Sequence, residues 1–125
     1  MVLKNGTFFA QDFSIVKGDI EFQNGIITNI GKSLEGKQID CSGCLIAPGF
    51  IDLHVHGCGG YDMSDKNSQS VTKMAHWLAQ HGIVAFCPAT MTMPHSSIVN
   101  ALQKIKSAMD LPQKDGAQVL GAYLE

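Results

Sequence analysis

No stretch of the chain approaches the ~18 consecutive apolar residues that a membrane-spanning helix needs. No cluster of lysines offers a track for nucleic-acid phosphates, and the net charge at neutral pH is −2. The opening "MVLKNGTFFA" lacks the long apolar core of a secretory signal. The sequence therefore predicts a soluble cytoplasmic protein with neither a membrane nor a nucleic acid among its partners. At that address the sequon Asn5-Gly6-Thr7 is a turn rather than a glycosylation site. A disulfide framework is missing too: Cys41, Cys44, Cys58 and Cys87 have no paired spacings, and in a reducing compartment they read as small buried apolar residues. Cys41-Ser42-Gly43-Cys44 has the spacing of half a zinc site or of a redox pair, yet no second C-x-x-C and no thioredoxin-like strand and helix accompany it. What remains, at 125 residues with 45% apolar and 16% charged, is an ordinary globular chain of one domain or part of a larger one.

Two textures divide it. Residues 1–48 hold short β-rich segments, "VLKNGTFFA", "SIVKGDIEFQNGIITNIG" and "KQIDCSGCLIAPG", with Asn5-Gly6 and Asn24-Gly25 as hairpin-type turns. That pattern predicts a small antiparallel β unit. From residue 49 to 125 the period changes. "FIDLHVH" reads as a strand, "SQSVTKMAHWLAQHG" as a helix, "IVAFCPATM" as a strand, "HSSIVNALQKIKSAMD" as a helix and "AQVLGAYLE" as a strand. Val71, Met74, Ala75 and Leu78 share one helical face, as do Ile98, Ala101, Leu102, Ile105, Ala108 and Met109. Ser68 or Ser70 is placed to cap the first helix and Gly82 to stop it, while Ser96 or Ser97 starts the second and Leu111-Pro112 ends it. Mostly continuous apolar strands joined by such helices give βαβαβ, a parallel sheet with right-handed crossovers. An open doubly wound sheet and the first three strands of a (β/α)8 barrel both fit.

In either architecture the chemistry gathers where parallel strands end. The first strand closes on His54 and His56, the second on Pro88-Ala89-Thr90 and the third on Glu125. Strand periodicity puts His54 and His56 on one face with Val55 opposite. Two imidazoles so placed suit a divalent metal, with a carboxylate oxygen as natural third ligand and a position left for water. Gly57, Gly59 and Gly60 allow a sharp turn over such a site. Asp52 shares the histidines' parity, which allows it to hydrogen-bond an imidazole or to play a purely structural role. Cys58 is a candidate to line the pocket, although filling the turn suits so small a residue better. His76 and His81, five apart on a helix, do not share a face and belong to the surface. His95 caps the following helix, and Trp77 and the methionines are assigned to the core.

The stretch "LIAPGFIDLHVHGCGG" resembles the entry to the barrel in the amidohydrolase superfamily, where an apolar strand after Pro-Gly ends in a metal-holding His-x-His. "GCGG", "PATMT" and "LGAYLE" narrow the resemblance to the N-acetylglucosamine-6-phosphate deacetylases. It spans nearly the whole chain, including the β-rich start, which in that family belongs to a small β-sandwich beside the barrel. The resemblance implies an α/β fold, the start of a (β/α)8 TIM-like barrel, preceded by a β-sandwich segment. It implies that His54, His56 and Glu125 ligate one or two divalent ions, zinc or iron, with Asp52, Gly57, Cys58, Gly59, Gly60 and Thr90 around them. The activity implied is hydrolysis of the acetamide of N-acetylglucosamine 6-phosphate, with a sugar phosphate as small-molecule partner and a homodimer as the assembly. Two further histidine ligands, an acid–base aspartate and the phosphate contacts are expected downstream of Glu125, so these residues alone are expected to be inactive. A dihydroorotase-like, dihydropyrimidinase-like or deaminase-like amidohydrolase, or a truncated non-catalytic chain, is the alternative.

Overall fold

Asn24 and Gly25 lie at φ 51° and 77°, the left-handed conformation that a two-residue hairpin loop requires at both positions. They join the second and third strands of the chain in the computed structural model, which describes residues 1–111 and 114–125. The chain divides into two units, Met1–Pro48 and Gly49–Glu125.

The first unit comprises β1 (Val2–Phe9), β2 (Ile15–Gln23), β3 (Ile26–Gly31), β4 (Gln38–Asp40) and β5 (Leu45–Ile46). They form one sheet in the order β3-β2-β1-β4, with β5 also on β1. β1, β2 and β3 are antiparallel neighbours as the turns imply, but β4 and β5 run parallel to β1. The expected all-antiparallel unit is thus a mixed sheet, because the chain crosses over between β3 and β4 instead of turning back. Asn5-Gly6 is not a turn either. It lies inside β1, where Asn5 has φ 61° and the register with β2 shifts between Leu3 and Gly6, a β-bulge.

Asp19 of β2 fastens that bulge. Its buried carboxylate accepts the Asn5 N–H at 2.9 Å, the Lys4 ammonium at 2.9 Å and the Leu34 N–H at 3.0 Å. The Asn5 amide first, and then Lys4, hold its pKa down to about 2, since hydrogen bonds to the ionised form favour it.

The second unit is built on a parallel sheet in the order β10-β9-β6, from β6 (Phe50–Val55), β9 (Ile83–Pro88) and β10 (Gln118–Val119). The hairpin β7 (Gly57–Cys58) and β8 (Tyr61–Asp62) and then α1 (Ser70–Gln80) connect β6 to β9, and α2 (His95–Asp110) connects β9 to β10. The βαβαβ order is as read from the sequence. Val71, Met74, Ala75 and Leu78 are buried with Phe86, Val119, Ala101, Ile105 and Ala108. Ile98 and Leu102 are half-buried, whereas Met109 is exposed, so the apolar stripe of α2 is narrower than its sequence pattern. Trp77 is also partly exposed, as are Met1 and Met91, while Met63 and Met74 are wholly buried. An aromatic or thioether side chain reports apolarity but not which helical direction the core occupies.

The helix starts differ from expectation. Gln69 stands at the N-cap of α1 and Pro94 at that of α2, both without a side-chain cap bond. Ser70 is buried with its Oγ lacking a partner, and Asn67 accepts the Gln69 N–H on its side chain and the Ser70 N–H on its carbonyl. Gly82, at φ 81°, ends α1 as expected. Leu111 is extended at the end of α2; Pro112, the expected stop, lies outside the described residues. The expected strand over 117–125 is broken: β10 covers two residues, and pairing resumes at a bridge between Ala89 and Tyr123.

The linkage of Asp19 has a definite sign. Its pKa is depressed from the ~3.9 of an unfolded chain, so its stabilisation is present above that value and fades as pH falls towards about 2. Urea midpoints measured between pH 5 and pH 2 should fall more steeply for the native chain than for Asp19→Asn, which should also be less stable at neutral pH. Parallel pH profiles would contradict this.

Candidate metal centre

β6 does not pair evenly to its end. Asp52 stands opposite Phe86 and Val55 opposite Pro88, so the register shifts between them. Such bulges redirect side chains beside functional sites. Here Asp52 Oδ1 accepts the His54 backbone N–H at 3.0 Å. Asp52 is thus engaged by the backbone at the bend of the strand, and no hydrogen bond from it to an imidazole is found among the described residues.

The bend brings the two rings together. His54 Nε2 and His56 Nε2 are 3.1 Å apart. Glu125 Oε2 lies 3.1 Å from His56 Nε2 and 3.6 Å from His54 Nε2. The three residues offer donor atoms within 4.8 Å of one another. Pro88, the last residue of β9, and the two residues that follow it hold them there. Ala89 donates its N–H to the Val55 carbonyl at 2.9 Å, and its own carbonyl lies 3.1 Å from His56 Nδ1. A carbonyl only accepts, so His56 donates through Nδ1, and the neutral ring of that tautomer presents its lone pair at Nε2. Thr90, buried, accepts the Glu125 N–H on Oγ1 at 3.2 Å. Thr90 donates its own N–H to the Tyr123 carbonyl, and Tyr123 donates to the Pro88 carbonyl, both at 2.9 Å.

The donor set fits a divalent cation. An imidazole lone pair and an acceptor-only carboxylate converge with a second imidazole nitrogen on one point, and such groups repel unless a positive charge lies among them. Donors held at ~2.0–2.2 Å around a tetrahedral zinc stand ~3.3 Å from each other, and the three separations bracket that spacing. Nitrogen and oxygen donors of this kind suit zinc or iron.

Other sequence candidates lie elsewhere. Gly59 and Gly60, at φ 60° and 80°, form the two-residue turn of the β7–β8 hairpin. A Cβ on Gly59 would sit 2.5 Å from the Trp77 ring, so the hairpin packs on α1 and does not fold over the donors. Gly57 lies in β7, where a Cβ would strike the Tyr61 carbonyl at 2.6 Å. Cys58 points its thiol at the Met74 carbonyl, 3.8 Å away on α1, and burial, followed by the charge of Asp52, pushes its pKa up. It is a protonated packing group rather than a pocket wall. The other cysteines are free, Cys41 buried and Cys44 exposed, which corrects the expectation that all four are buried. His76 binds the Asp115 carbonyl at 2.9 Å, His81 stacks on Trp77 at 3.8 Å, and His95 is the first residue of α2.

Sequence reasoning missed Tyr123. Its ring centroid is 4.4 Å from that of His54. The parity it shares with Glu125, two residues on, was the available signal.

No family model matches the chain, but individual proteins do. N-acetylglucosamine-6-phosphate deacetylase of Bos taurus is 31% identical over 127 residues, covering 99% of this chain and 30% of the relative. That of Vibrio furnissii is 39% identical over 108 residues, 82% of this chain and 26% of the relative. A dihydroorotase of Listeria innocua is 33% identical over 117 residues, 88% of this chain and 27% of its own. Among solved structures, N-acetylglucosamine-6-phosphate deacetylase of Pasteurella multocida shares the fold with a TM-score of 0.86 at 20% identity, over 98% of this chain and 33% of that one. A variant of the Mycobacterium smegmatis deacetylase, in complex with N-acetyl-D-glucosamine-6-phosphate, has a TM-score of 0.77 at 17% identity, over 95% of this chain and 32% of its own. The chain is thus similar to N-acetylglucosamine-6-phosphate deacetylases and spans about 30% of the length of the curated relatives it matches.

Proposed function

We propose that this chain supplies the first three metal ligands of a cytoplasmic deacetylase that converts N-acetylglucosamine 6-phosphate to glucosamine 6-phosphate and acetate. The convergence of His54, His56 and Glu125 within 4.8 Å carries the reading, on a chain whose relatives include deacetylases of that sugar phosphate. In this reading β6, β9 and β10 are the first three strands of a (β/α)8 barrel, with the ligands at their carboxyl ends, and residues 1–48 are part of a β-sandwich. The barrel reading draws support from Phe50, Ile51, Leu53 and Val84, exposed by 54–71% on a parallel sheet of the kind normally covered on both faces.

Zinc or iron would be the cation, as one ion or two, and His54, His56 and Glu125 would hold it. When bound, it supplies a Lewis acid for the acetamide carbonyl and lowers the pKa of water towards ~7. The chain's own residues prepare the place. The Ala89 carbonyl keeps the His56 proton on Nδ1, Asp52 holds the His54 backbone, and Thr90 holds that of Glu125. The acid–base aspartate, further histidines and the phosphate contacts come from beyond these 125 residues, in an assembly proposed to be a homodimer. A cyclic-amide hydrolase is the second reading, favoured by the dihydroorotase relative.

Metal analysis addresses the ligands: His54→Ala with His56→Ala should weaken zinc binding by more than the ~10–100-fold that loss of an outer-shell partner costs, and unchanged content would remove the reading. Acetate release, in a protein carrying the complete barrel, should be at least ~10²-fold faster on N-acetylglucosamine 6-phosphate than on N-acetylglucosamine, since charged hydrogen bonds to the phosphate are each worth ~1.5–3 kcal/mol. The 125 residues alone should release none. Equal rates on the two sugars, or turnover of dihydroorotate alone, would favour the second reading.

A further inference from the structure

The two imidazoles are held by different means. His56 has its Nδ1 on the Ala89 carbonyl at 3.1 Å, the arrangement by which metal-ligating histidines are normally oriented. His54 has no such bond among the described residues. Its nitrogen contacts, His56 Nε2 at 3.1 Å and Glu125 Oε2 at 3.6 Å, both lie on the donor edge and leave the ring free to rock about it. The plane of the ring is met instead by Tyr123, with centroids 4.4 Å apart and planes inclined by 35°.

We propose that Tyr123 is the positioning residue of His54, its aromatic face doing for that imidazole what the Ala89 carbonyl does for His56. The inference rests on the metal-centre reading above and adds the group that orients the ligand lacking a hydrogen-bonded one. Tyr123 is well fixed for this. Its N–H donates to the Pro88 carbonyl and its carbonyl accepts from the Thr90 N–H, both at 2.9 Å, so the base of the ring is registered on the same three residues, 88–90, that orient His56 and seat Glu125. Nothing in this requires the phenol. The hydroxyl has no hydrogen-bond partner among the described residues, and the side chain is 45% exposed. A tilted ring contact of this kind favours one orientation of its neighbour, and loss of an outer-shell partner typically costs 10–100-fold in metal affinity.

Zinc affinity, measured by chelator competition, tests the proposal in the native chain and in Tyr123→Phe, Tyr123→Leu and Tyr123→Ala. The His54→Ala/His56→Ala variant serves as baseline, so that binding to the cysteines is subtracted. Tyr123→Phe should stay within about 2-fold of native, and Tyr123→Leu and Tyr123→Ala should weaken binding by ~10-fold at unchanged melting temperature. In a His54→Ala background Tyr123→Ala should cost nothing further, because its effect passes through that ring. Native affinity in Tyr123→Ala, a Phe variant as weak as the Ala variant, or an undiminished loss in the His54→Ala background would each overturn the inference while leaving the metal reading intact. A native chain that binds zinc no better than the double-histidine baseline would remove both.

Discussion

Pro88, the last residue of β9, and Ala89 and Thr90 after it hold the site together. Through the backbone, Ala89 is bonded to Val55 on one side, while Pro88 and Thr90 are bonded to Tyr123 on the other. Parallel pairing in both directions is what brings a histidine pair on one strand beside a glutamate near the far end of the chain. The same residues then reach past the ladder, the Ala89 carbonyl to His56 and the Thr90 hydroxyl to the Glu125 amide. Backbone groups in a paired strand lack the rotamer freedom of side chains, so donors hung on them are placed before any ion arrives. That is the condition under which ligands bind without an ordering cost.

The surroundings decide which potential ligands are used. Cys58 follows the histidines by only a few residues, and thiolate is an excellent zinc ligand. Its thiol is turned into the helix layer, where burial and the neighbouring Asp52 carboxylate both disfavour the charged form. Asp52, in turn, is occupied by the His54 amide. Packing of Cys58 on α1 and the bond of Asp52 to the backbone thus leave a nitrogen and oxygen donor set.

Much of this was legible in the sequence, and the limits were physical. Periodicity located both helices and the buried faces of Val71, Met74, Ala75 and Leu78, because the core face of a helix must be apolar wherever the helix lies. His-x-His at the end of an apolar strand pointed to the two rings that the structure brings together with Glu125, and Asn24-Gly25 identified a turn. Asn5-Gly6 has the same two residue types yet forms a bulge, since a left-handed asparagine serves either purpose and only the partner strand chooses between them. The caps were misread because serine competes with its neighbours for the same amides: Asn67 takes them, and Ser70 enters the core instead. Bends within strands left only faint traces. Asp52 is a lone charge in an apolar strand and Gly121 follows Val119, but neither says how the pairing shifts or where it resumes, and Tyr123 acquired its place beside His54 only through that geometry.

X-ray absorption at the zinc edge of the metal-loaded protein examines the central claim, that two imidazoles and a carboxylate share one ion. The account predicts a first shell of nitrogen and oxygen at ~2.0–2.2 Å, with outer-shell scattering from two imidazole rings that disappears in His54→Ala/His56→Ala. A shell at ~2.3 Å, the distance of cysteine sulfur, or imidazole scattering unchanged in that variant, would contradict it.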